Sequence, residues 1–107
     1  MNGIEYFYDD CDSAIAIELN DLLVPQAVSA FATIASQPAW AQDAFQGRRV
    51  YVRHLRDKAI SLGKQDLMIK ESGVEWETRD IDAAHSAWAS KPDDLVGIIA
   101  EFALRWT

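Results

Sequence analysis

Leu67-Met68-Ile69-Lys70-Glu71-Ser72-Gly73-Val74-Glu75-Trp76-Glu77-Thr78 is the stretch on which the fold class turns. A Ser-Gly pair between two runs of alternating apolar residues is the chemistry of a two-residue β-hairpin loop. Folded about Ser72-Gly73, the stretch pairs Glu71 with Val74, Lys70 with Glu75 and Ile69 with Trp76. Leu67, Ile69, Val74 and Trp76 then share a buried face and leave the Lys70-Glu75 pair on the other, the pattern of an antiparallel sheet covered on one side.

Working outward, Arg49–Leu55 alternates and predicts another strand, with Val50, Val52 and His54 on one side and Arg49, Tyr51 and Arg53 on the other. Ile4–Tyr8 is aromatic and β-prone, and Asp9-Asp10-Cys11-Asp12-Ser13 has the composition of a turn. Ala14–Leu19 fits a hairpin partner for that first run, although Ile15, Leu19 and Leu22 also suit a helix. Helices are expected from Pro25 to Ser36, on a stripe of Val24, Val28, Phe31 and Ala35, and from Pro38 to Gly47, with Trp40, Ala41, Ala44 and Phe45 on one side. Asp57 to Gly63 reads as a loop or a turn of helix. Asp82 can cap a helix to about Ala89. Ser90-Lys91-Pro92-Asp93 opens a last helix, whose stripe of Leu95, Ile98, Ile99, Phe102 and Trp106 closes the core. The expected architecture is a single α+β domain over residues 1–107, an antiparallel sheet of about five strands covered by about four helices.

Composition sets the outer bounds. Half of the 107 residues are hydrophobic and 25% are charged, which excludes a low-complexity or disordered chain. A chain of this size is expected to bury about two-thirds of its unfolded surface and to need no metal or disulfide. A single cysteine, Cys11, forms no intrachain disulfide, and three neighbouring aspartates disfavour its thiolate. The start of the chain lacks signal-peptide features and no apolar run is long enough to span a membrane, so a reducing cytoplasm is the expected compartment.

Charge is unevenly distributed. Residues 1–47 hold seven acids and no Lys or Arg; residues 48–70 hold seven basic residues against Asp57 and Asp66; the net charge is −7. One reading neutralises the basic strand against cross-strand acids such as Glu5, Glu75 and Glu77. The other leaves an exposed anionic lobe around Asp9–Asp12 that docks on a cationic surface. On the second reading the chain is a noncatalytic, immunity-protein-like or phage-inhibitor-like protein, an analogy of class alone. It would occlude a basic protein site such as that of a nuclease or a nucleic-acid-binding complex. Glu5, Asp9, Asp10, Asp12, Glu18 and Asp21 steer and contact, with Trp40 and Phe45 as a desolvated anchor.

Other chemistries are thinly signalled. Asp9, Asp10 and Asp12 offer hard oxygen ligands, but Ala14, Ile15 and Ala16 stand where a calcium loop needs its Gly and acids, so no metal is expected. Neither a phosphate loop nor a nucleophile motif is present, and no cofactor is expected. Arg49, Tyr51 and Arg53 resemble a nucleic-acid stacking platform in composition only, and the acidic flanks oppose direct nucleic-acid binding. The alternatives are a self-associating assembly subunit and a small enzyme using His85, three residues after Asp82, or His54 with an acid.

Overall fold

A computed structural model describes residues 2–107. Its sheet has two strands, β1 (Val50–His54) and β2 (Glu77–Ile81), and they run parallel with Val50 opposite Glu77 and His54 opposite Ile81. Around them stand α1 (Gly3–Phe7), α2 (Ser13–Asp21), α3 (Ser29–Ala32), α4 (Leu62–Glu71), α5 (Ala87–Ser90) and α6 (Pro92–Arg105). The class is α+β, but the expected five-stranded antiparallel sheet is overturned.

The Ser72-Gly73 pair explains most of that correction. Leu62–Glu71 is rich in helix formers, including Leu62, Lys64, Gln65, Leu67, Met68, Lys70 and Glu71, with Ile69 as its one β-branched residue. The Ser61 hydroxyl accepts from the Lys64 N–H and opens α4. Glu71 is the last residue of α4 and Ser72 caps it, and Gly73 follows at φ +72°, the left-handed conformation in which helices stop and for which glycine carries no steric cost. A residue pair suited to a hairpin loop thus ends a helix instead. The register expected for the hairpin disappears with it, and Leu67 is half exposed.

Near the N-terminus, both expected strands are helical. Asn2 Oδ1 accepts from Ile4 N–H to start α1, and Asp12 Oδ1 accepts from Ala14 N–H to start α2. The two helices approach closely at Gly3, where a Cβ would lie 2.5 Å from Asn20 Oδ1 and 2.6 Å from Leu23 Cδ1. The helix expected from Pro25 to Ser36 shrinks to one turn, α3, and that from Pro38 to Gly47 to two 3₁₀ turns, Ala39–Ala41 and Asp43–Phe45. Residues 25–36 lack an underlying surface to bury their stripe, and in residues 38–47 Trp40 packs on Trp76 while Phe45 stays partly exposed; most helical stability comes from such burial. The helix expected from Asp82 to Ala89 is reduced to α5. The last helix is present, although its start at Lys91 has no side-chain cap.

The unit β1-α4-β2 is a parallel crossover, the connection such strands require. Alternation along β1 points Val52 to one face, where it packs with Ile81, Ala83, Ala87, Leu95 and Ile98. Arg53, on the other face, meets Asp66 of α4. The apolar core is small: Tyr8, Ala16, Ile81, Ala83, Ala84, Ala87 and Phe102 are its buried members. Against about 17,000 Å² for the unfolded chain, 7670 Å² stays exposed, so the chain buries somewhat less than the two-thirds expected. No helix is long and apolar enough to cross a membrane among the described residues.

Candidate active site

Parallel strands deliver their following loops to the same end of a sheet, where ligand sites of α/β units gather. Here Leu55-Arg56-Asp57 continues β1 and Asp82-Ala83-Ala84-His85 continues β2. Leu55 N–H donates to Ile81 O at 3.1 Å and Arg56 N–H to Ala83 O at 3.0 Å, so the two loops stay paired beyond the strands. Asp57 and His85, separated by 28 residues in sequence, thereby come into contact, with Asp57 Oδ2 2.9 Å from His85 Nδ1.

The aspartate is held firmly. Its Oδ1 accepts from the N–H groups of Ala59 at 2.8 Å and Ile60 at 2.9 Å, and its side chain is 6% exposed. A carboxylate can only accept, so Nδ1 of a neutral His85 carries the hydrogen and Nε2 offers its lone pair. The His85 side chain is one-third exposed, and the Phe7 ring lies 5.4 Å from the imidazole. The result is a buried carboxylate behind an imidazole that solvent reaches.

A third wall comes from the turn between α1 and α2. Asp10 Oδ2 accepts from Ala84 N–H at 2.8 Å and from the Ser90 hydroxyl at 3.0 Å, and stands 3.8 Å from Arg56. Lys58 pairs with Asp9 at 2.8 Å. Cys11 follows in the same turn, and burial together with Asp10 and Asp9 pushes its thiol above the ordinary value. His54 does not join the pair: its Nδ1 lies 2.8 Å from Ala84 O, and its backbone N–H and C=O both bond Gln65. Tyr51 is raised above the usual phenol value by burial, then by Asp57 and Asp66.

Sequence reasoning placed His85 with Asp82, and this pairing is corrected. Asp82 instead takes Arg56 at 2.7 Å, because the loop after β2 does not form the helix that three-residue spacing presupposes. Of the acidic contact set, Asp9, Asp10 and Asp12 are each engaged within the chain, the last as a helix cap. Glu5, Glu18 and Asp21 have no ion-pair partner among the described residues. The basic segment is interleaved with acids other than those expected: Arg53 pairs with Asp80, its register partner, and with Asp66. Arg49 is buried and donates to the carbonyls of Trp40 and Gln42, which leaves no stacking platform beside Tyr51. Trp40 lies 5.4 Å from Trp76, and Phe45 is partly exposed beyond it. Among the described residues no group of three His, Cys, Asp or Glu side chains is placed to hold a metal ion.

Asp57 had no individual signal in the sequence, since an aspartate after a strand is common. What pointed to it was the parallel arrangement, and that was hidden by reading Ser72-Gly73 as a hairpin. No protein-family model matches this chain, and no curated protein matches it in sequence.

Proposed function

We propose that the chain carries an acid–base site for hydrolysis of an uncharged acyl compound such as an ester, with His85 as general base and Asp57 as the residue that positions it. The observation that carries this reading is the 2.9 Å contact between a buried, doubly backbone-bonded carboxylate and a solvent-reachable imidazole. Such a carboxylate fixes the tautomer and stabilises the imidazolium formed when Nε2 accepts a proton, the role of the acid in serine-type triads.

In the proposed step Nε2 takes the proton of an attacking water as its oxygen bonds to the acyl carbon. The ester C–O bond then breaks and the same proton passes to the departing alkoxide, giving acid and alcohol. Substrate charge follows from the surroundings. Asp9, Asp10 and Asp57 border the site, and the nearby cations Arg56 and Lys58 already pair with Asp82 and Asp9. An anionic substrate such as a phosphate ester is therefore repelled, whereas a neutral apolar ester finds the Phe7 ring beside the imidazole.

The noncatalytic docking reading draws less support from this geometry, because the turn at its centre is occupied by internal bonds. The test of the hydrolytic reading is release of nitrophenol from p-nitrophenyl acetate by the purified chain. Turnover above buffer that His85→Ala abolishes and His54→Gln preserves supports it. Turnover no greater than buffer, or unchanged in His85→Ala, sinks it.

A further inference from the structure

We infer that the uncharged stretch from Leu22 to Gln42 is a self-association surface, on which two copies of the chain cover one another. Residues 22–42 contain no Asp, Glu, Lys or Arg. Every residue from Asp21 to Trp40 is exposed, and the large apolar side chains Val24, Val28, Phe31 and Ile34 are 78% to 96% exposed. Single exposed apolar residues are ordinary, but a run of this kind on a soluble chain marks an interface.

Two measures of size agree. A folded monomer of 12.0 kDa exposes about 6000 Å², whereas this chain exposes 7670 Å². Its radius of gyration is 15.6 Å, against about 13 Å for a typical domain of this length. The surplus over the whole chain is about 1700 Å², so two chains covering theirs would bury about 3400 Å², within the range of about 2000–5000 Å² for obligate homodimers, and the most exposed large apolar side chains, Ile34, Val24 and Val28, lie in this stretch.

The stretch is also anchored at both ends. Leu23 N–H donates to Asn20 O at 3.2 Å at the end of α2, and Arg49 Nε and a terminal guanidinium nitrogen donate to Trp40 O and Gln42 O beside β1. Between these anchors the apolar side chains have nothing of their own chain to pack on. Charge selects the occupant. A chain of net charge −7 repels its twin through its acids, and these lie outside the stretch. A basic partner would be drawn to those acids instead, whereas a second copy brings an uncharged, apolar surface of the same extent.

Light scattering of the full chain over a wide concentration range tests this independently of any turnover. The expected mass is twice 12.0 kDa, falling to the single-chain value in the double variant Val28→Asp, Phe31→Asp with an unchanged circular dichroism spectrum. Both positions are exposed in the single chain, so the substitutions spare its fold. A single-chain mass at every concentration overturns the inference, as does a dimer that survives the double substitution. Binding of a monomer to phosphatidylcholine vesicles would assign the stretch to lipid and overturn it equally.

Discussion

The side chain of Gln65 completes the backbone of His54: its Oε1 accepts from the His54 N–H at 2.8 Å, and its Nε2 donates to the His54 carbonyl at 2.9 Å. Nε2 also donates to Ile60 O at 2.9 Å, and the residue is 2% exposed. A two-stranded parallel sheet leaves the outward main-chain groups of β1 without a neighbouring strand, and one amide from α4 serves in place of a strand at the end nearest the site. Gln65→Leu keeps the volume and removes all three bonds, which strands buried groups at a cost of about 2–4 kcal/mol. Urea denaturation measures this, and a loss below about 1 kcal/mol would mean that water replaces the amide.

Asp10 ties the N-terminal helices to the strand ends through Ala84 N–H and the Ser90 hydroxyl. Its other oxygen is buried without a hydrogen-bond partner, and the side chain is 7% exposed. Asp10→Ala removes the acceptor of both bonds and destabilises by about 1–3 kcal/mol, whereas Asp9→Ala, which breaks a pair with the half-exposed Lys58, costs little. Amide exchange locates the effect: Ala84 loses protection in the first variant and keeps it in the second. Equal losses would show that the turn is held by general packing rather than by the Asp10 carboxylate.

The thiol of Cys11 is raised by burial, then by Asp10 and Asp9, so its thiolate fraction at mildly alkaline pH is below that of a free cysteine. Iodoacetamide is expected to label native Cys11 more slowly than the urea-unfolded chain, and Asp9→Asn to narrow the difference. The sign for stability follows from the raised value. The folded state favours the neutral thiol, so this contribution is complete below the unfolded-state pKa and is lost as pH rises through the folded one. Faster labelling of the native chain would contradict the assigned causes.

Glu101 shows the opposite case. Its hydrogen bond to Arg79 holds its carboxyl below the usual range, against the opposing effect of burial and with the help of the charges of Arg79 and then Arg105. Its contribution is present above the unfolded-state pKa and lost as pH falls through the folded one. Glu101→Gln, which resembles the protonated carboxyl, is expected to lower the neutral region of a thermal-stability profile slightly, because the group lies on the surface, and to leave the acid end unchanged, so that the acid limb flattens.

How much of this was readable without coordinates depends on range. β1 and α6 were legible, because alternation over Arg49–Leu55 and the stripe from Leu95 to Trp106 each suit a single period. The segment Leu67–Thr78 was not, since Ser72-Gly73 serves a hairpin and a helix end equally and only the helix formers of residues 62–71 break the tie. The candidate site was half legible. His85 was identifiable as a histidine near an acid, but its acid lies 28 residues away and is brought there by a parallel pairing that local periodicity does not encode. Residues 25–36 failed for another reason, since an apolar stripe predicts a long helix only where something covers it.

The Asp57-His85 pair makes the last prediction quantitative. Asp57→Asn keeps the shape of the side chain but presents an amide, which can no longer stabilise an imidazolium and, by donating, favours the wrong tautomer. In serine-type triads that exchange lowers kcat by about 10⁴-fold; with water in place of an activated hydroxyl, a fall of about 10²-fold to 10³-fold is expected here, within the range of general-base contributions. KM is expected to stay constant, because Asp57 sits behind the imidazole and 6% of its side chain is exposed. Asp57→Glu recovers part of the rate where the longer chain can still reach Nδ1. If kcat and the melting temperature fall together while Asp57→Glu restores neither, Asp57 serves only its bonds to Ala59 and Ile60, and the hydrolytic assignment loses its support.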